Sequence, residues 1–301
     1  MGKPIVVCGT DLGASGRRAV ALAAACAARL GGRLHVVHAM DIPAFEEEAI
    51  PPGIRPAAGT LRARVEEAQR TTEAKLQALA VDVARDVPSK VTVRAGRPWE
   101  ALVDAASEDG AAMIVVGPHA RSTNLFTEIG ERLLGTTARR VVRRSPVPVM
   151  VATGDVDTAA SVLRAQGARL LVGIDFREGG EAALAAAKRF GTKLALVHVL
   201  QDVFVPADGP LDWPEIRANW IKELEKRLTT LAGEHADVDS TRVYNGDPAE
   251  ELALAAEALE AHFLVVGRHA GGTIERMLVG SAAERCLRQA RVPVLVVPPQ
   301  T

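Results

Sequence analysis

Aromatic residues are scarce in this chain: Phe, Tyr and Trp make up 3% of its 301 residues. Proteins that track single-stranded nucleic acid stack bases on aromatic side chains, so the composition argues against that class. Cysteine is scarce too. Cys8, Cys26 and Cys286 form an odd, scattered set with no CxxC spacing. Such a set is neither a disulfide framework nor a zinc site, and its members read as small apolar core residues. Net charge is nearly absent, at −1, which gives the chain no bias toward nucleic acid or an anionic membrane. Long hydrophobic runs are missing as well. The opening Met1–Pro4 leads into Ile5-Val6-Val7-Cys8, far too short for a signal peptide or a membrane span. Gly2 is not set up for myristoylation, because Val6 stands where Ser or Thr is expected. These absences lead to the expectation of a soluble, cytoplasmic protein with no nucleic-acid and no membrane partner.

Aliphatic residues fill the gap. The chain is 48% hydrophobic, mostly Ala, Val and Leu, which suits two single-core domains better than one large one. The order of residues says the same. Ile5-Val6-Val7-Cys8-Gly9-Thr10-Asp11, an Ala-rich stretch, and Leu34–Ala39 with its His38 form one set. Leu170-Leu171-Val172-Gly173-Ile174-Asp175, an Ala-rich stretch, and Leu194–Val199 with its His198 form a second. Gly96-Arg97-Pro98 then answers Gly246-Asp247-Pro248, and Met113–Ala120 answers Phe263–Ala270, each pair 150 positions apart. Gly135-Thr136 answers Gly280-Ser281, and Val147–Val151 answers Val292–Val296. So many matches in one order indicate an internal repeat. The reading is a first domain over 1–153, a linker over 154–167 and a second domain over 168–301.

Within each copy, short continuous apolar runs alternate with helical segments, as buried parallel strands do when helices cover both sheet faces. Strands are expected near 4–10, 33–39, 90–95, 112–117 and 147–152, with helices near 15–30, 60–85, 98–109 and 131–144. In copy two the strands fall near 169–174, 193–199, 239–244, 262–267 and 292–297. Its helices fall near 178–190, 213–233, 248–260 and 276–290. The fold class is α/β: two tandem Rossmann-like domains, each an open five-stranded parallel sheet with helices on both faces. Ligands of such sheets bind beyond the carboxyl ends of the strands, where strand order reverses. Asp11 and Asp175, Ala39 and Val199, and the loops after the fourth strands occupy those ends.

The loop after the fourth strand of copy two carries the clearest chemistry. It runs from Gly267 through Arg268, His269, Ala270, Gly271 and Gly272 to Gly280-Ser281, and a helical pattern follows. Glycines let backbone N–H groups approach a phosphate, and a helix start with Ser281 as its cap adds donors and a dipole. Asp175 is placed to accept a hydrogen bond from a nucleoside hydroxyl or amine.

These features resemble the universal stress protein family, once per copy and over nearly the whole chain. Its nucleotide-binding branch carries a strand-end Asp and a loop written Gly-x2-Gly-x9-Gly-(Ser/Thr). The resemblance implies ATP as ligand, with Mg only as its counter-ion. It implies that Asp175 meets adenine or ribose, that Val199 lines the adenine pocket, and that Gly267, Gly280 and Ser281 cradle ribose and phosphates, with His269 and Ala270 in the loop. Copy one offers Asp11, Ala39, Gly117, Gly135 and Thr136 at the matching places. Both copies depart from the pattern: Ala120 and Ala270 stand where Gly is expected. Copy one departs further, with fourteen residues (121–134) where the pattern has nine, and with Ala39 in place of Val. Copy two is therefore the expected site. The resemblance also implies antiparallel pairing of the two last strands as an internal pseudo-dimer. Pro148 and Pro293 inside those strands favour edge strands with limited pairing. Association into a homodimer, and an unidentified protein partner, stay open.

Each feature has a plainer reading. Asp11 and Asp175 also suit caps of the helices that follow. His35 and His38 are three apart on one strand and point to opposite faces, which suits satisfied polar tips better than a shared metal. His119 and His269 sit in the cleft region with no nucleophile or acid beside them in sequence. The run Arg139-Arg140-Val141-Val142-Arg143-Arg144 reads as a solvated face whose charges complement a helix C-terminus. The Pro-containing stretches 41–60 and 202–214 read as flaps over the cleft or as simple connections. Three functions follow in rank: a nucleotide-binding stress sensor or regulator, a ligand-free interaction scaffold, and last a slow ATP hydrolase, since no Walker lysine or nucleophile–base pair is present. No catalytic or metal-binding residue is expected.

Overall fold

The computed structural model describes residues 2–40, 60–118, 134–190, 193–201, 213–268 and 281–299. Copy one runs β1 (Ile5–Gly9), α1 (Ala14–Arg29), β2 (Arg33–Met40), α2 (Thr60–Val83), β3 (Ser89–Ala95), α3 (Pro98–Glu108), β4 (Met113–Val116), α4 (Thr136–Arg144) and β5 (Val149–Val151). A short helix, α5 (Val156–Arg164), lies between the copies. Copy two runs β6 (Arg169–Gly173), α6 (Glu178–Phe190), β7 (Lys193–Leu200), α7 (Trp213–Gly233), β8 (Val238–Asn245), α8 (Pro248–Ala258), β9 (Phe263–Gly267), α9 (Ser281–Gln289) and β10 (Val294–Val297). The chain thus has the expected alternating α/β architecture with helices on both faces of the sheet.

The strands form one ten-stranded sheet in the order β3-β2-β1-β4-β5-β10-β9-β6-β7-β8. Pairing is parallel throughout except at the centre, where β5 and β10 run antiparallel with Val149, Met150 and Val151 opposite Val296, Leu295 and Val294. Strand order reverses between β1 and β4 in copy one, and between β6 and β9 in copy two. These two switch points are where each cleft opens.

The last strands differ from expectation in one respect. Pro148 and Pro293 sit just ahead of β5 and β10, not inside them. Their carbonyls still accept from Ile114 and Leu264 at 2.9 and 3.0 Å, while their missing N–H groups fall outside the strands. The strands are therefore central in the joined sheet and not edges.

Alternation along these strands feeds two apolar layers. Met150 and Leu295 point to the face covered by α1, α2, α5, α6 and α7, and Val149, Val151, Val294 and Val296 to the face covered by α3, α4, α8 and α9. Each layer runs unbroken from one copy into the other. Helix α5 lays Val156, Ala159, Ala160 and Leu163 into the first layer against α1. That second cover explains the composition of α1. A helix enclosed by a sheet and another helix needs small apolar residues around most of its surface, and Ala19 and Ala23 through Ala27 supply them with Cys26.

Polar contacts fasten the seam. Thr153 Oγ1 donates to Val292 O at 2.6 Å, and Asp155 N to Arg291 O at 2.9 Å. Gly154, at φ 64°, lies so close to the Arg291 carbonyl that a Cβ would collide with it. The basic run on α4 is not simply a solvated face. Arg139 and Arg143 reach Glu284 of α9 at 3.3 and 3.1 Å, and Arg144 stacks on Trp99 at 4.5 Å. The two pairs with Glu284 cross from copy one to copy two, and the Arg144 contact stays within copy one.

Candidate functional site

Two clefts open at the carboxyl ends of the strands. Cleft one is lined by Gly9, Thr10, Asp11, Ala39, Gly117, Gly135 and neighbours around a cavity of about 100 Å³. Cleft two is lined by Asp175, Arg177, His198, Val199, Gly267, Ala283, Cys286 and neighbours around about 470 Å³. The structure therefore brings Asp175, Val199 and Gly267 to one cleft, and Asp11, Ala39, Gly117 and Gly135 to the other. His269, Ala270 and Gly280 lie outside the described residues, as do His119 and Ala120.

The turn after the first strand of each copy is built the same way. Leu12 and Phe176, directly after the two Asp residues, hold φ of 63° and 55°. Bulky residues rarely adopt this region, which costs of order 1–3 kcal/mol and persists only where surrounding contacts enforce it. Asp11 Oδ1 accepts from Gly13 N at 2.9 Å. Asp175 Oδ1 accepts from Arg177 N at 3.0 Å and Gly180 N at 2.8 Å. The cap reading thus holds at Asp175, which satisfies donors in the first turn of α6. At Asp11 the N-cap of α1 is Gly13 itself, and the carboxylate fixes the turn before it.

The second strands supply a matching latch. His38 Nδ1 donates to Thr10 O at 2.8 Å, and His198 Nδ1 to Ile174 O at 2.7 Å. A carbonyl only accepts, so the bond fixes the proton on Nδ1 and leaves Nε2 as the ring's acceptor in the neutral form. Each latch ties the strand that carries Ala39 or Val199 to the residue before the strand-end Asp. In cleft two the latch is braced from behind: Phe176 lies 5.0 Å from the His198 ring, with the Arg227 guanidinium 4.1 Å above Phe176. His35 is the buried tip expected on the other face. It donates from Nδ1 to Asp109 at 2.6 Å and pairs with Thr92 Oγ1 at 2.9 Å through Nε2.

Gly267 is required by packing. A Cβ there would run into the backbone of Gly179, because the head of α6 presses on the end of β9. Gly135 forms the N-cap of α4 with extended backbone, φ −61° and ψ 149°. Thr136 follows as the first helical residue but is exposed, and Thr137 lines cleft one in its place. Ser281 is the first residue of α9. Ala282 and Ala283, in the first turn of α9, face cleft two.

The structure adds contacts that the sequence did not disclose. Cys286 lines cleft two yet is fully buried, and burial pushes its thiol up to about 12. Below it, Asp247 caps α8 by accepting from Ala249 N and Glu250 N, and meets Arg285 of α9 at 2.6 Å. Burial alone would raise Asp247, but the Glu250 N–H and the Arg285 guanidinium outweigh it and hold the carboxyl below its ordinary value. Arg268, next to Gly267, leaves the cleft altogether. Its guanidinium donates to Val142 O, Arg143 O and Ser145 O at 2.8, 3.0 and 3.1 Å, at the C-terminus of α4 in the other copy. Desolvation there lowers its pKa. The signal for these residues is their spacing from Asp175 and Gly267, which is readable only once strand ends are known. No helix among the described residues is long and apolar enough to cross a membrane.

Comparison with known proteins agrees with this geometry. The profile described as "Universal stress protein family" matches residues 3–153 and again 168–298. A universal stress protein of Mycobacterium tuberculosis is 33% identical over 227 residues, covering 74% of this chain and 73% of the relative. One from Methanocaldococcus jannaschii is 32% identical over 124 residues, covering 40% of this chain and 73% of that protein. The crystal structure of a universal stress protein from Archaeoglobus fulgidus superimposes with a TM-score of 0.62 at 21% identity, covering 99% and 97% of the two chains. The strand order, the duplicated strand-end turn and the two matched segments converge: the chain belongs to the universal stress protein family and carries two of its domains in tandem.

Proposed function

We propose that this protein binds an adenine nucleotide, ATP, in cleft two and uses occupancy of that cleft for sensing or regulation in a stress response. The observation that carries this reading is the convergence of Asp175, Val199, Gly267 and the head of α9 on a cavity of about 470 Å³. That volume falls within the roughly 300–1,000 Å³ of small-molecule sites, whereas the 100 Å³ of cleft one does not. The residues present fit the group. Val199 and Leu252 offer an apolar wall to a base, and Asp175 stands at the strand end to meet a ribose or base donor. The first N–H groups of α9 suit phosphate oxygens, with Mg as the nucleotide's counter-ion. A second reading, a ligand-free interaction scaffold, is favoured for copy one by its small cleft, its longer loop and Ala39.

Mass spectrometry of the denatured full chain and titration calorimetry with ATP test the proposal on wild type, Val199→Trp and Ala39→Trp. Both residues are half-buried wall positions, so a Trp fills the mouth of its own cleft. Binding by wild type and Ala39→Trp, with loss in Val199→Trp, is the expected result. No nucleotide and no heat with wild type would favour the scaffold; loss only in Ala39→Trp would move the site to copy one.

A further inference from the structure

Among the described residues, cleft two is lined by a cation, Arg177, and cleft one is not. The turn after β6 reads Asp175-Phe176-Arg177, and the turn after β1 reads Asp11-Leu12-Gly13. The two backbones match. The middle residue has positive φ in both, and the Asp accepts from the N–H two residues on in both. Arg177 and Gly13 also begin the next helix alike. The Arg177 carbonyl accepts from Gly180 and Glu181 at 3.0 and 3.2 Å, and the Gly13 carbonyl from Arg17 at 2.9 Å. The two positions are therefore equivalent, and only copy two places a guanidinium there.

Arg177 is exposed and lines cleft two, and its guanidinium makes no hydrogen bond or ion pair with a described residue. Its backbone is fixed beside the end of β9, because Gly179 in the same turn of α6 rests against Gly267. Arg177 and Gly267 thus line the same cleft from neighbouring elements. A guanidinium presents a rigid fork of donors that matches phosphate oxygens, and it stays charged at any working pH.

We propose that Arg177 is the residue that makes cleft two select phosphate-bearing nucleotides over the neutral nucleoside. This rests on the reading of cleft two as a nucleotide site. Arg177 acts here as a specificity residue, and cleft one, with Gly13, lacks the device.

Titration calorimetry on the full chain with ATP and with adenosine, for wild type, Arg177→Gln and Arg177→Lys, tests it. Wild type should prefer ATP. Arg177→Gln should weaken ATP binding about tenfold while adenosine stays within about twofold, and Arg177→Lys should recover much of the ATP affinity. Raising salt should weaken ATP binding more in wild type than in Arg177→Gln. A matching thermal midpoint shows that the variants fold. Equal weakening of both ligands, or an unchanged preference for ATP, would overturn the assignment of Arg177 while leaving the nucleotide reading intact. A wild type that binds neither ligand would overturn both.

Discussion

Replacing Arg268 with Met should destabilise the whole chain, although the residue belongs to neither the sheet nor a helix. The guanidinium reaches from the end of β9 to three carbonyls at the C-terminus of α4. Helix ends leave their last carbonyls without intrahelical partners, and a cation there also meets the negative end of the helix dipole. Hydrogen bonds to a charged group contribute about 1.5–3 kcal/mol, and the dipole adds about 0.3–1 kcal/mol. Against this stands the desolvation that lowers the pKa of Arg268. Met keeps most of the apolar stem and removes the donors, so the three carbonyls lose their partner. The expected net loss is about 2–3 kcal/mol. For 301 residues unfolding together that is a drop of roughly 3–5 °C in Tm. Calorimetric unfolding measures it, and both copies should still melt in one transition, because the two apolar layers are continuous across the seam. An unchanged Tm in Arg268→Met would refute the argument, since it would mean that desolvation cancels the three bonds. A second, separate transition in wild type would refute the shared core.

Two more outcomes follow from single residues. His35 is held neutral chiefly by burial, against the opposing hydrogen bond from Asp109, with Lys90 and Arg94 also disfavouring its charge. The folded pKa is below that of the unfolded chain, near 6.5, so the unfolded state takes up the proton first and stability falls as pH drops through about 6.5. Denaturant melts between pH 7.5 and 5 should show a weaker pH slope for His35→Gln than for wild type; equal slopes would sink the idea. Gly267→Ala should cost about 2–3 kcal/mol, because its Cβ collides with the Gly179 backbone, and a denaturant midpoint equal to that of wild type would contradict it.

Much of the fold was legible because apolar runs report burial directly. Leu170–Val172 and Leu194–Val197 are covered on both faces, so each reads as an unbroken apolar stretch. Helix α5 was less visible. Its four apolar positions, Val156, Ala159, Ala160 and Leu163, sit behind the polar Thr153–Asp155 that reads as a link. The site was legible at Asp175, Val199 and Gly267, where strand ends are marked by the repeat. It was less legible at the start of α4, where one residue of register separates Thr136 from the cleft-lining Thr137.

By itself, the sequence determined the duplication, the α/β class and the strand ends on which the clefts stand. These depend on local hydrophobic period and on a repeat, and both are written along the chain. Only the tertiary structure decided how large each cleft is, that Arg268 serves the other copy's helix, and that the basic run on α4 is tied to Glu284. Those depend on which helix lies beside which across the β5–β10 seam, a matter of distance between residues more than a hundred positions apart that no local pattern encodes.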